Sequence, residues 1–237
     1  LTRALQELAA DPPLFIGVDQ EGGRVSRLKP PFTQFPPAAR LGALGSEELA
    51  RTVGGVIGKE LRAVGITVDF APVLDVHTNP DNPVIGDRAF AAEPDVVARM
   101  GIAFSQGLQA EGVSATGKHF PGHGSSAADT HEGFVDVTGM WQPVELEPYR
   151  DMIDADLADM VMVAHLYNAD VQGNDARQLP SSLSRTWIEG MLRDELGFAG
   201  VAISDDLEMG AIRSRFDLHD TVVVAVEAGM DVLLFSN

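Results

Sequence analysis

The segment Val113–Val137 concentrates the side chains that could do chemistry. Within fourteen positions it carries Lys118, His119, His123, Asp129 and His131. Imidazole and carboxylate groups can exchange protons near neutral pH, so this pattern is typical of an acid/base site. A single histidine is more often a core residue bonded to the backbone, whereas a cluster of this density on one strand end and its loop indicates function.

The same side chains allow a second interpretation, as ligands of a metal ion. His119, His123, Asp129 and His131 could bind zinc or another transition metal in a barrel hydrolase. The residues alone leave acid/base catalysis and metal-dependent hydrolysis both open, and metal analysis of the purified protein separates them.

Composition limits the classes of function. The 237 residues are 45% hydrophobic and 22% charged, enough to bury one substantial core, and they fit one large α/β domain or two small ones. The formal net charge is −18, which disfavours nucleic acids and anionic membrane surfaces as partners. There is no cysteine, so disulfides and thiolate sites are excluded. We expect no membrane-spanning segment, because no apolar run approaches the roughly 20 residues required.

The absence of cysteine does not by itself name a compartment. Leu1 lies inside an apparent helix, so the sequence does not show whether a leader precedes it. A cytoplasmic location is expected, with an exported or lipid-anchored form left open. The oligomeric state is left open as well.

Strand-like and helix-like segments alternate along the chain. The predicted strands are 14–19, 66–75, 113–119, 160–165, 201–205 and 231–235. The predicted helices are 1–8, 46–64, 95–109, 146–158, 184–196 and 220–228. Apolar strands separated by helices indicate a parallel sheet covered on both faces, either a (β/α) barrel or an open doubly wound sheet.

Polar residues at the strand ends favour the barrel. Five predicted strands end on a charged or imidazole side chain: Asp19, Asp75, His119, His165 and Asp205. In barrels the carboxyl ends of the strands converge on one mouth, where active sites lie. We therefore expect these side chains to share one site.

Five motifs together resemble glycoside hydrolase family 3, and more narrowly its β-N-acetylhexosaminidase branch. They are IGVDQEGGRVSRL (Ile16–Leu28), NPVIGDRAF (Asn82–Phe90), KHFPGHG (Lys118–Gly124), the triplet Asp129-Thr130-His131 and SDDLEMGAI (Ser204–Ile212). The resemblance implies a TIM-type (β/α)8 barrel as one catalytic domain over residues 1–237. The first two strands and the helix after the last one are not found, so the domain is expected to be incomplete at both ends.

The resemblance also implies catalytic roles. Asp205 matches the family nucleophile, and Asp129 with His131 is similar to its acid/base pair. The implied reaction is retaining hydrolysis of terminal β-linked N-acetylglucosamine from cell-wall fragments or related glycans through a covalent glycosyl-enzyme. Asp205 and Asp206 are adjacent, so on a regular strand only one of them is expected to face the mouth.

Sugar-binding residues follow from the same match. The resemblance implies substrate binding by Asp19, Arg88, Lys118 and His119, with Arg24 and His165 lining the same pocket. A small carbohydrate is the expected partner, with no metal and no other cofactor. In the alternative reading of the residues, Asp19 and Arg88 form an ion pair that holds two loops together.

Two further functions stay open beside the hydrolase. A phosphorylase of the same family would transfer the sugar to phosphate, and a non-catalytic module would only bind sugar. The small residues Gly124–Ala128 also predict that the loop carrying Asp129 and His131 is mobile without ligand.

Overall fold

A computed structural model describes residues 2–9, 11–173 and 176–236. Ten strands are present in these ranges: β1 Gly17–Val18, β2 Gln20–Gly22, β3 Val25–Ser26, β4 Val68–Asp69, β5 Ser114–Phe120, β6 Val135–Asp136, β7 Met160–Val163, β8 Leu166–Tyr167, β9 Val201–Asp206 and β10 Val232–Leu234. The α-helices are α1 Thr2–Leu8, α2 Ala38–Leu44, α3 Glu47–Ala63, α4 Pro94–Ala110, α5 Glu147–Asp154, α6 Ala169–Gln172, α7 Gly210–Arg213 and α8 Leu218–Glu227. Thr186–Glu195 is a π-helix, and Gly86–Arg88, Pro143–Leu146 and Ser181–Leu183 are 3₁₀-helices.

Six strands form one curled parallel sheet in the order β1-β4-β5-β7-β9-β10. The order in space is the order along the chain, and at least one helix lies between each pair of neighbours. Each crossover therefore advances by one strand in one direction, as in a barrel and unlike a doubly wound sheet, whose strand order reverses. The predicted α/β class and the parallel sheet are confirmed.

The outer strands are shorter than predicted. β1 keeps two residues of 14–19, and β4 keeps two of 66–75. Beyond β4 the pairing with β5 is irregular: the Ala71 and Pro72 carbonyls accept from the Thr116 and Lys118 amides, and Val73 pairs with Lys118 as a single bridge. The segment ends at Asp75, whose carboxylate accepts hydrogen bonds from the amides of His119 and His123.

The two long helices that flank the sheet begin close to where the sequence predicts. Ser46 caps α3 by accepting a hydrogen bond from the Leu49 amide, as expected of an N-cap serine. α3 and α4 pack closely because glycines lie at their contact. A Cβ on Gly54 would come 2.2 Å from the Phe104 carbonyl oxygen, and one on Gly107 would come 2.2 Å from the Arg51 carbonyl oxygen.

β5 lies between β4 and β7 and is buried over nearly its whole length. Phe120, at its end, packs edge-on against Tyr149 of α5 and Trp187 of the π-helix. This aromatic cluster fixes the carboxyl end of β5, where Lys118 and His119 are located. None of the described helices combines the length and apolar character needed to cross a bilayer.

Candidate active site

A cavity of about 350 Å³ opens at the carboxyl ends of the parallel strands. Its lining includes six of the residues that the sequence predicts for the site: Asp19, Arg88, Lys118, His119, His131 and Asp205. Val25, Arg27, Met162, Asp206 and Met209 also line it, and the sequence did not predict them as site residues. Residues that are far apart in the chain therefore meet at one mouth, as expected from the strand ends.

Two buried cations share a carboxylate in the cavity wall. The Lys118 ammonium is 1% exposed and lies 2.7 Å from Asp19 Oδ1 and 2.6 Å from Glu21 Oε1. Arg88 donates to both oxygens of Glu21, at 2.8 and 2.9 Å. Asp19 therefore pairs with Lys118, and Arg88 pairs with Glu21. The alternative prediction of an ion pair between Asp19 and Arg88 is wrong.

Glu21 is a further residue of the site that the sequence did not predict. Burial by itself raises the pKa of Glu21, but Lys118 and Arg88 outweigh burial and bring the pKa down to about 2. The carboxylate is thus fully ionised at neutral pH. Glu21 lies within the motif IGVDQEGGRVSRL, but nothing local in the sequence shows that this segment folds over a lysine 97 positions later.

His119 is held by a buried carboxylate on one side and a guanidinium on the other. Its Nδ1 lies 2.7 Å from Asp75 Oδ2, and its Nε2 lies 3.2 Å from Arg88 Nη2. An arginine can only donate, so Nε2 accepts and the ring proton is on Nδ1, facing Asp75. Burial favours a high pKa for Asp75, but the neighbouring imidazoles of His119 and His123 lower it overall.

The other two histidines of the cluster have separate partners. His123 is buried beneath the loop, with Nε2 3.3 Å from the Thr130 hydroxyl, and burial lowers its pKa to about 4. His131 is on the surface of the loop, with 64% of its side chain exposed.

Among the described residues, no group of three or more His, Asp or Glu side chains is arranged to hold a metal ion.

Asp129 and His131 form a local pair. Asp129 Oδ1 lies 2.7 Å from His131 Nδ1 and accepts a second hydrogen bond, at 2.8 Å, from the His131 amide. Burial acts to raise the pKa of Asp129, but these bonds to His131 lower it overall. With Nδ1 occupied by the carboxylate, Nε2 is the nitrogen of His131 left for a reacting group.

The loop carrying this pair is packed at its start. A Cβ on Gly124 would come 1.7 Å from the Val76 carbonyl oxygen, and one on Gly122 would come 2.6 Å from Glu145 Cβ. Both glycines therefore permit close backbone packing. Of the small residues 124–128, only Ala127 and Ala128 are exposed, and the mobility of the loop stays a prediction.

Asp205 projects into the cavity from β9. Burial raises its pKa, but His165, His119 and the Asp206 amide outweigh burial and lower it overall, which keeps the carboxylate ionised. Asp206 also lines the cavity, contrary to the expectation that only one of the pair would face it. The strand ends at Asp206, and the turn that begins there redirects this side chain toward Ser236 and the Glu208 amide.

His165 and Arg24 do not line this cavity. His165 is completely buried; Nε2 donates to the Asp206 carbonyl at 2.9 Å, and Nδ1 accepts from the Ser182 hydroxyl at 2.7 Å. Burial lowers the pKa of His165, in agreement with a neutral ring in this role. Arg24 is half exposed and donates to the carbonyls of Val84 and Ile85. His165 thus supports the end of β9 from behind the cavity, whereas Arg24 holds the segment that precedes Arg88.

Comparison with known proteins gives a consistent result. The family described as Glycosyl hydrolase family 3 N terminal domain matches residues 2–237. A beta-hexosaminidase from Nitrosomonas eutropha is 41% identical over 100% of this chain and 68% of its own length, and one from Thiobacillus denitrificans is 43% identical over 95% and 63%.

Solved structures agree with the sequence relatives. A glycoside hydrolase family 3 beta-N-acetylglucosaminidase from Paenibacillus sp. str. FPU-7 matches all of this chain at 44% identity with a TM-score of 0.94. NagZ from Neisseria gonorrhoeae, in complex with N-trifluoroacetyl-D-glucosamine, matches all of it at 34% identity with a TM-score of 0.86. The chain spans 45% and 71% of these two proteins. On this sequence and structural similarity, the chain belongs to glycoside hydrolase family 3.

Proposed function

We propose that this chain is the catalytic domain of a retaining β-N-acetylglucosaminidase, which releases terminal β-linked N-acetylglucosamine from cell-wall fragments or related glycans. The observation that carries the proposal is that Asp205 and His131, on different elements, line one cavity. The beta-hexosaminidase and beta-N-acetylglucosaminidase names of its relatives support the choice of sugar.

The chemistry assigns one task to each group. Asp205 attacks the anomeric carbon while His131 Nε2 gives a proton to the leaving oxygen, which forms a glycosyl-enzyme and frees the aglycone. His131 then takes a proton from water as that water displaces Asp205 from the anomeric carbon. Asp129 holds the ring orientation and stabilises the imidazolium. A histidine thus does the work that a second carboxylate does in most glycosidases.

The cationic side of the cavity would bind the sugar. Lys118 and Arg88 offer hydrogen-bond donors, and Asp19 offers an acceptor. Both ring nitrogens of His119 are already bonded, to Asp75 and Arg88, so His119 lines the same wall and orients Arg88. His165 supports Asp206 from outside the cavity, and Arg24 holds the segment that precedes Arg88. Asp19 and Glu21 already balance the buried charges, so neutral sugar hydroxyls suit this wall better than a free anion does.

The finer fold assignment is part of this proposal. We infer a TIM-type (β/α)8 barrel in which two further strands lie between β10 and β1, with residues 1–237 in one domain. An apolar cavity of about 440 Å³ supports this inference, since Phe70, Ile203 and Val232 from the inner face of the sheet line it. Unpaired sheet edges beside apolar surface are normally covered in folded proteins.

Turnover of chromogenic substrates tests the function. We expect a β-N-acetylglucosaminide to be cleaved about 10⁴-fold more efficiently than the matching β-glucoside, because groups that bond the acetamide would stay unpaired with a bare hydroxyl. Equal efficiency would overturn the choice of sugar. Assays with phosphate identify a phosphorylase if sugar 1-phosphate accumulates, and binding without turnover identifies a sugar-binding module.

A further inference from the structure

The turn that follows β9 is bonded to the loop that carries the Asp129–His131 pair. The Gly210 amide donates to the His131 carbonyl, and the Ala211 amide donates to the Thr130 carbonyl, both at 3.0 Å. These donors open α7, where the first amides of a helix lack partners within the helix. The loop backbone supplies those partners.

Gly210 allows this contact because it has no side chain. A Cβ at Gly210 would lie 2.6 Å from the His131 carbonyl oxygen and 2.6 Å from the Glu132 carbonyl carbon. Both atoms are backbone, so neither can move without moving the loop. The glycine is therefore required for the approach of the loop to α7.

A second contact joins the same two segments. The Arg215 guanidinium lies 3.9 Å from the centre of the Phe134 ring, within the range of a cation–π interaction. Arg215 is held in turn by a hydrogen bond of 2.9 Å to Gln178. The segment 210–215 thus contacts the loop at both ends of the stretch that contains His131.

The turn is also tied to Asp205. Asp206 accepts hydrogen bonds from the Met209 amide at its carbonyl and from the Glu208 amide at its carboxylate, both at 3.0 Å. His165 donates to the same carbonyl from the other side. Gly210 follows Asp205 by five positions, so this bonded turn is a short, fixed spacer between the two catalytic elements.

We propose that Gly210 is a positioning residue that docks the acid/base loop against the turn after β9 and so sets the position of His131 relative to Asp205. The inference rests on the proposed function, in which these two residues act on one glycosidic bond. A side chain at this point would displace His131 while leaving Asp205 and the sugar-binding wall in place.

Gly210→Ala tests the proposal, with Gly133→Ala as the matched control. Gly133 is in the same loop, a Cβ there meets nothing within 4 Å, and its backbone is outside the left-handed region. For Gly210→Ala we expect kcat/KM to fall by roughly 10²-fold on substrates with poor leaving groups, which need the general acid. On activated aryl substrates we expect a fall of less than about 3-fold, and Gly133→Ala should match the wild type on both.

The leaving-group dependence separates positioning from general damage. An equal loss on both substrate classes, or no loss on either, would overturn the proposal. Inactive wild-type protein would instead contradict the proposed function, so the two failures are distinguishable. Hydrogen exchange gives a second measure: amides at 210 and 211 should exchange faster in Gly210→Ala while those of β9 keep their protection.

If Gly210→Ala does not fold, Arg215→Ala decides the question. This change removes the contact with Phe134 without forcing a side chain against the backbone. We expect the same selective loss on poor leaving groups, about 5-fold in size. Wild-type leaving-group dependence in this variant would overturn the docking role of segment 210–215.

Discussion

Glu21 Oε1 lies 2.6 Å from Lys118 Nζ, so a carboxylate buried in the cavity wall holds the charge of a lysine that is 1% exposed. Burial acts to lower the pKa of Lys118, but Glu21 and Asp19 outweigh it and raise the pKa. Glu21 also orients Arg88 through two bonds. Glu21 therefore balances the charges of Lys118 and Arg88 and orients both side chains, which are proposed to bind the sugar.

Glu21→Gln should weaken substrate binding and stability together. The amide cannot neutralise two buried cations, so we expect the free energy of unfolding to fall by about 3 kcal/mol. Misplaced Lys118 and Arg88 should lower kcat/KM roughly 10²-fold. Urea denaturation and steady-state kinetics measure the two effects. Glu195→Gln, which removes an exposed pair with Arg150, is the control and should match the wild type in both. Unchanged kinetics in Glu21→Gln would contradict the orienting role.

His131→Ala should slow the cleavage of substrates with poor leaving groups by roughly 10²- to 10⁴-fold. Activated aryl substrates should lose far less, because their leaving groups need little proton donation. Asp129→Asn should show the same trend, since it removes the negative charge that stabilises the imidazolium. Rates across a series of leaving groups check this, and parallel losses on the whole series would remove His131 from the acid role.

Asp205 should carry the sugar in a trapped intermediate. A fluorinated substrate analogue slows the oxocarbenium-like steps, so a covalent adduct should accumulate on the wild-type protein. Intact mass and peptide mapping should place it on Asp205 and find none in Asp205→Asn. A label on Asp206, which lines the same cavity, would make Asp206 the nucleophile in place of Asp205. No adduct together with tight inhibition by a thiazoline analogue would indicate attack by the substrate acetamide instead.

Glu145 should make stability depend on pH. It is fully buried beneath Gly122 and Ser125, and burial raises its pKa from 4.5 to about 7. The unfolded chain ionises at the lower value, so this group's contribution to stability is complete below pH 4.5 and is lost as the pH rises through 7. The change is about 3 kcal/mol.

Glu145→Gln isolates this contribution, because the amide does not titrate. Its single oxygen keeps only one of the two bonds that the Gln142 amide makes to Oε1 and the Ser125 amide makes to Oε2, but that loss is the same at every pH. Urea denaturation at several pH values should show the difference between variant and wild type shifting in favour of the variant between pH 4.5 and 7. A constant difference over this range would mean that Glu145 ionises normally in the folded protein.

The sequence located much of the site because the relevant signals are local. An apolar strand followed by a charged or imidazole residue is visible in a few positions, as at Asp19, His119 and Asp205. In a parallel sheet such ends lie at one edge, so position along the chain predicts position in space. All three line the cavity.

Patterns along the chain did not predict the close contacts of glycines. Gly124 belongs to a run of small residues that predicts mobility, yet Gly122 and Gly124 are each needed where another segment packs against them. The same holds for Gly210 in SDDLEMG, whose neighbour is a loop about 80 positions earlier. A glycine looks the same in a sequence whether it allows the chain to move or allows another segment to pack closely.

By itself, the sequence determined the alternation of helix and strand, the parallel sheet and the residues at its carboxyl edge, because periodicity and capping act over a few neighbours. The tertiary structure decided which charges pair. Lys118 forms ion pairs with Asp19 and Glu21, and Arg88 forms one with Glu21. His165 donates a hydrogen bond to the Asp206 carbonyl from outside the cavity. Such pairs depend on distances between atoms that are 41 to 99 residues apart in the chain, and only the folded backbone sets those distances.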